Sequence, residues 1–176
     1  MYPVTHMTIA VGSVSLGRKL LRRLTGRQTA FDYRFVAFGA LIPDLIDKPL
    51  KWFIFRKQLP DDHTFGHTLL LPTVLTTLGI ILARRGDTRL LATGLGCFTH
   101  PAVDPVATYP RTLFWPALGT QFPVAKSPLP PFGIPLEIAL IVAYALALGR
   151  SETVRAAAEE FALSGQLRTT SADEPS

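Results

Sequence analysis

The segment DDHTFGHTLLLP, residues 61–72, places His63 and His67 four residues apart at the head of a long apolar run. On a helix that begins by His63, that spacing puts both imidazoles on one face. His100 and Asp104 repeat the spacing in RLLATGLGCFTHPAVD, residues 89–104. Asp44 and Asp47 follow Pro43, and His6 lies near the start of the chain. A divalent transition metal takes such neutral imidazoles and carboxylates, drawn from converging elements, as donors at about 2.0–2.2 Å. Two histidines at i, i+4 on one helix also hold the metal of zinc proteases. An ionised Asp104 inside an apolar stretch needs a partner or a metal. The candidate ligands are therefore His6, Asp44, His63, His67, His100 and Asp104. Asp47, Asp61 and Asp62 read as groups that orient a ligand or face solvent. Glu137, near the start of the last apolar helix, either completes the site or orients a ligand.

The elements that must carry these groups follow from apolar runs and breakers. Val4 to about Leu24 is a first helix that turns basic at RKLLRR, with Gly26 as its stop. Residues 31–47 form a second, interrupted near Pro43, which cannot donate the ladder bond. KPLKWFIFRKQLPDD (48–62) mixes aromatics with cations, a composition suited to the headgroup region of a bilayer. A third helix is expected from about Thr64 to Arg85, a fourth over 89–104 and a fifth, the most apolar, over 133–150. Residues 105–131 are proline-rich and read as an ordered loop. Ser151 caps a polar helix that ends at 163. The fold class expected is an all-α, membrane-associated bundle of five to six helices in one domain, residues 1–163, with a disordered tail over 164–176.

Basic clusters give an independent indication of convergence. The first helix has His6 at one end and Arg18–Arg23 at the other, and the third runs from His63 and His67 to Arg84 and Arg85. The second ends at Asp44, and the fourth runs from Arg89 to His100 and Asp104. If these are antiparallel neighbours, all the ligands gather at one end of the bundle.

Bulk composition points the same way. Hydrophobic residues make up 48% of the chain and charged residues 18%, with a net charge of +5. Soluble domains carry nearer a quarter charged residues. Cationic clusters between apolar segments mark cytoplasmic ends or contacts with anionic lipid, and no nucleic-acid partner is expected. Cys97 is alone, which excludes an intramolecular disulfide, and reads as a small buried hydrophobe. A cleavable signal peptide is not expected, because positive charge follows the first apolar stretch rather than preceding it and His6 interrupts that stretch early.

With these residues in place, the chain resembles the inner-membrane-bound, metal-dependent hydrolases called YdjM-like and also described as LexA-binding. The matching pieces are THMTIAVG (5–12), GALIPDLIDKP (39–49), HTFGHTLLLP (63–72), GLGCFTHPAVDPVATYP (94–110) and LFWPALG (113–119). That family in turn resembles the zinc-dependent phospholipases C and related nucleases. The resemblance implies zinc held by His6, Asp44, His63 or His67, His100 and Asp104. Pro101, directly after His100, departs from the pattern and bears on whether His100 and Asp104 share a face. No histidine follows His100, so one metal, or two sharing Asp44 or Asp104, fits better than three.

The expected function is a membrane-bound hydrolase using a metal-activated water on a phospholipid-like phosphoester, with Asp47 or Glu137 taking the water's proton. Lys48, Lys51, Arg56 and Lys57 are expected to hold an anionic headgroup, the bilayer being the partner. The expected location is the inner membrane, multi-pass, with the metal site toward the non-cytoplasmic face. The rival is a non-catalytic membrane protein that binds or carries a divalent ion. A soluble bundle with a buried metal is a third reading. The substrate, the ion and the oligomeric state are open.

Overall fold

Pro3 opens the first helix, α1 (Pro3–Thr25), and Gly26 closes it in the left-handed region at φ 68°. Proline suits the first helical position because its missing N–H would have no intrahelical acceptor there, and glycine reaches positive φ without strain. The computed structural model describes residues 2–26, 31–59, 62–104, 109–123 and 133–167. After α1 come α2 (Tyr33–Gly39), α3 (Ile42–Pro49), a π-helical turn (Leu50–Ile54), α4 (Leu70–Ala83), α5 (Arg89–Val103), the short α6 (Pro110–Leu113), α7 (Gly133–Arg150) and α8 (Glu152–Ser164). Among the described residues all regular structure is helical, as expected.

α5 is the centre of the bundle and packs on α1, α2 and α4. Its buried residues include Ala92, Thr93, Gly94, Gly96 and Cys97, which let neighbouring backbones approach closely. A Cβ at Gly96 would stand 2.0 Å from the Val36 carbonyl oxygen, and one at Gly39 2.0 Å from that of Thr93. α2 and α5 therefore meet backbone to backbone. The apolar core is small: Ala10, Phe31, Tyr33, Val36, Ala40 and Ala92.

The polarity of the molecule is inverted. The largest fully buried side chains are His6, His67 and His100, with Asp44 and Asp47 among the others. Meanwhile α4 exposes Leu70, Val74, Leu78 and Ile81, and α7 exposes Ile134, Ile138, Ile141, Val142, Leu146 and Leu148. An apolar exterior of this extent belongs in lipid or under a partner. α7 is 18 residues long, apolar enough to cross a membrane, and its window is only 6% buried against the rest of the chain. That length gives about 27 Å, close to the hydrocarbon thickness.

Two expectations need correction. The third helix does not begin at Thr64: α4 starts at Leu70, so His63 and His67 lie in the turns before it and share no helix face. A start at Thr64 would bury Pro72 inside the helix, where its ring clashes with the carbonyl four residues back, whereas a start at Leu70 leaves Pro72 in the first turn. At 14 residues α4 spans about 21 Å, short of a bilayer core. Among the described residues α7 alone is long and apolar enough to cross, so the multi-pass expectation has no support beyond that helix.

At the C-terminus, Gly165 closes α8 at φ 70°, its carbonyl accepts the Tyr33 N–H at 2.7 Å, and Gln166 Nε2 donates to the Phe31 carbonyl at 2.9 Å. Residues 165–167 are thus held against the start of α2. The rest of the expected tail, 168–176, lies outside the described residues, as do Asp61 and parts of the proline-rich loop, 105–108 and 124–131.

Candidate metal centre

Four elements converge at one end of the bundle. α1 brings His6 in its first turn. α3 brings Asp44 in its first turn, where a carboxylate is favoured by the helix dipole, and Asp47 one turn later. The turns at 62–69 bring His63 and His67. α5 brings His100 in its last turn and Asp104 as its cap, with the Asp104 N–H donating to the His100 carbonyl at 3.0 Å. α5 continues through Pro101 to Val103, and His100 Nε2 stands 3.2 Å from Asp104 Oδ2. The proline therefore does not separate the pair.

The turn that carries His67 is built by Asp47. Its carboxylate accepts the Thr64 N–H at 2.5 Å, the Gly66 N–H at 2.8 Å and His67 Nδ1–H at 2.8 Å. Gly66 is required at the crossing with α3, because a Cβ there would lie 2.5 Å from the Pro43 carbonyl oxygen. The Leu69 N–H donates to the Leu113 carbonyl at 2.8 Å, which fastens the loop to α6.

Asp44, His67, His100 and Asp104 each offer one donor atom, and these atoms all lie within 4.8 Å of one another. His67 Nε2 is 3.1 Å from His100 Nε2, 3.7 Å from Asp44 Oδ1 and 3.5 Å from Asp104 Oδ2. Donors at zinc-like distances around a tetrahedral ion lie about 3.3–3.4 Å from one another. The separations around His67 Nε2, 3.1–3.7 Å, lie near that edge.

The imidazole nitrogens facing away from the centre are all engaged. His6 Nδ1 is 2.8 Å from the Tyr2 carbonyl and His100 Nδ1 is 2.7 Å from that of Ala40. A carbonyl only accepts, so both Nδ1 atoms carry the proton and each neutral ring turns an Nε2 lone pair inward. His67 is turned the same way by Asp47. The His6 Nε2 atom is buried without a hydrogen-bond partner, 3.6 Å from Asp104 Oδ1. Two inward lone pairs at 3.1 Å repel each other unless a proton or a cation lies between them. These donors fit a divalent ion.

The electrostatics fit as well. Burial pushes the Asp104 carboxyl up, but the surrounding imidazoles of His100, His6, His63 and His67 outweigh it and hold it far below the usual range. Asp47 is likewise lowered: burial raises it, and His67, Gly66 and Thr64 overcome that. Burial lowers His67, yet Asp104 and Asp47 raise it above its ordinary value. His100 is lowered, chiefly by burial. Buried Cys97 is pushed up to about 12 by desolvation and stays a protonated thiol.

His63 stands at the rim rather than in the central group. Its Nε2 is 3.6 Å from Asp104 Oδ2, its Nδ1 is 3.0 Å from Asp62 Oδ1, and 27% of its side chain is exposed. The two residues expected as proton acceptors are already committed: Asp47 holds the His67 turn, and Glu137 accepts bonds from Val4 and Thr5. Each of these carboxylates already accepts three bonds from the chain itself, so both are structural acceptors before any water or substrate arrives. Of the four expected headgroup cations, Lys48 is bound to Asp44 and Lys51 donates to the carbonyls of Arg56 and Leu59, while Arg56 and Lys57 are exposed. The Tyr2 and Ala40 carbonyls were not legible in the sequence, since backbone acceptors carry no residue signature. The Lys48–Asp44 pair had one, the i, i+4 spacing.

The family described as YdjM inner membrane protein matches the chain over residues 1–167. The chain belongs to that family. The match spans α1 to α8 and every residue of the centre, and α7 supplies a helix able to cross the membrane for which the YdjM family is named. Neither a curated protein nor a solved structure matches the chain.

Proposed function

We propose that this YdjM-family chain is a metal-dependent hydrolase of the inner membrane that cleaves an anionic, phospholipid-like phosphoester at the bilayer face. The observation that carries the reading is the His67–His100 pair, Nε2 to Nε2 at 3.1 Å, with each Nδ1 engaged. Zinc suits two imidazoles and a carboxylate with a fourth position left to water. Bound there, it would lower the pKa of a water and polarise the scissile phosphoryl group.

The chain's own residues supply the rest. His67, His100 and Asp104 hold the ion, and Asp47 and the Ala40 carbonyl keep the two rings aimed. His63 Nε2, at the exposed rim with Asp62 behind Nδ1, takes the proton of the attacking water. The water oxygen would bond to phosphorus as the phosphorus–oxygen bond to the leaving group breaks, and the leaving alkoxide would take back the proton that His63 had accepted. Lys48, 13% exposed beside Asp44, supports the negative charge of the phosphoryl oxygens. Trp52, Phe53, Ile54 and Phe55 are exposed beside Arg56 and Lys57, a surface suited to anionic lipid. The clusters Arg18–Arg23 and Arg84–Arg89 lie at the helix ends away from the centre, which favours a non-cytoplasmic orientation for the site.

One observation favours the non-catalytic alternative. Asp44, His67, His100 and Asp104 make four protein donors, the number that closes a zinc site. The Lys48–Asp44 pair supports the enzyme reading, because while Lys48 holds Asp44 one metal position is left for water. Purified protein in detergent, loaded with zinc and assayed on an activated phosphodiester and on phosphatidylglycerol vesicles, separates the two readings. Hydrolysis that disappears in His67→Ala and Asp104→Ala supports the enzyme. Stoichiometric zinc without turnover on either substrate supports the carrier.

A further inference from the structure

Helix α1 begins with no side chain of its own to cap it: Tyr2 occupies the cap position and makes no side-chain cap bond. Pro3 has no N–H, so Val4 and Thr5 carry the next donors that lack an intrahelical acceptor. Glu137 takes them from the far end of the sequence. Its Oε1 accepts the Val4 N–H at 2.7 Å, and its Oε2 accepts the Thr5 N–H at 2.9 Å and the Thr5 hydroxyl at 2.7 Å. The next residue is His6.

Glu137 belongs to a stripe on α7. Gly133, four residues before it, lies against the Tyr2 ring, where a Cβ would stand 2.3 Å from Cζ. Tyr144, seven residues after it, shares a hydrogen bond of 3.2 Å with Thr8. Most of the rest of α7 is exposed. A carboxylate in a membrane-crossing helix is costly, and it persists where it has a partner to hold. Its partner here is the backbone turn that presents His6. The Tyr2 carbonyl, in that same turn, accepts both the His6 N–H at 2.9 Å and His6 Nδ1–H at 2.8 Å. The ring is thereby aimed so that Nε2 lies 3.6 Å from Asp104 Oδ1.

We propose that Glu137 is a positioning residue: from the helix that anchors the chain in the bilayer, it seats His6 against the metal centre, so that α7 is both the anchor and a structural part of the site. This rests on the metal reading given under Proposed function.

The test is a double-mutant cycle on full-length protein in detergent, reading zinc affinity by chelator competition and the visible absorption of the cobalt-substituted centre. Glu137→Gln is expected to weaken zinc binding about tenfold and to shift the cobalt spectrum as His6→Ala does. The double variant should bind no more weakly than His6→Ala alone, because the two substitutions remove one interaction. Tyr144→Phe, which loosens the same helix pair away from His6, should leave affinity and spectrum unchanged. Additive losses, or a Tyr144→Phe variant that reproduces the Glu137→Gln effect, overturn the proposal. If wild-type protein binds no zinc, the metal reading fails, and the clamp is judged by amide exchange. Faster exchange at Val4, Thr5 and His6 in Glu137→Gln, absent in Tyr144→Phe, then supports it; unchanged exchange overturns it.

Discussion

His67 and His100, contributed by a turn and by the end of α5, face each other Nε2 to Nε2 at 3.1 Å in full burial. Each ring is held from behind, by Asp47 and by the Ala40 carbonyl. Burying two imidazoles in this way without a cation wastes their lone pairs, and the two aspartates beside them supply the charge a divalent ion needs.

Asp47 acts on the centre only through His67 and the turn around it. Asp47→Asn keeps the shape but removes the charge and an acceptor oxygen. It is expected to weaken zinc binding about 10–100-fold while leaving all four central donors in place. Chelator competition measures this, and unchanged affinity would show that the His67 ring needs no orienting partner.

Gly66 sits where α3 and the histidine turn cross. Gly66→Ala puts a methyl 2.5 Å from the Pro43 carbonyl oxygen, and the neighbour is backbone that cannot rotate away. A loss of about 1–3 kcal/mol in unfolding free energy is expected, together with reduced zinc loading. Thermal unfolding in matched detergent, with and without zinc, checks both.

The pH response of metal binding follows from His67. Burial lowers its pKa, Asp104 and Asp47 raise it, and the net shift is upward from 6.5. A raised histidine stabilises the metal-free fold below the unfolded value of about 6.5, and that stabilisation fades as pH rises through the folded pKa. Zinc competes with the same proton, so its affinity should change in the opposite sense, falling as pH drops through that folded value. Asp104 and Asp47 are lowered, so their contribution holds above the carboxylate's ordinary value of 3.8 and is lost only in stronger acid. Zinc titrations between about pH 5.5 and 8.5 test the first effect; a pH-independent affinity contradicts it.

The exposed aromatic turn and its two cations should matter only at a lipid surface. Reversing Arg56 and Lys57 to glutamate is expected to reduce turnover on phosphatidylglycerol vesicles several-fold, with hydrolysis of a soluble phosphodiester unchanged. Equal loss on both substrates would place these cations in the chemistry instead.

Much of this site was legible because its residues sit at helix ends. Charge clusters at the opposite ends oriented each helix, and His6, Asp44, His100 and Asp104 then fell at one pole. α7 was readable from apolarity alone. The start of α4 was not. Thr64 and Gly66 give their N–H groups to Asp47, seventeen and nineteen residues away, and no local pattern reports such a bond. The same blindness hid the bonds that Asp47 and Glu137 already accept, since a sequence shows that a carboxylate exists but not what its oxygens hold. Pro101 raised a concern that the geometry answers, because α5 continues through it to Val103 and keeps His100 Nε2 3.2 Å from Asp104 Oδ2.

X-ray absorption at the zinc edge on purified, zinc-loaded protein tests the central claim most directly. The expected result is one tightly held zinc per chain with two imidazoles and oxygen donors at about 2.0–2.2 Å, abolished in His67→Ala and in His100→Ala. Protein that retains no stoichiometric metal, or a zinc shell that survives the loss of both histidines, would contradict it.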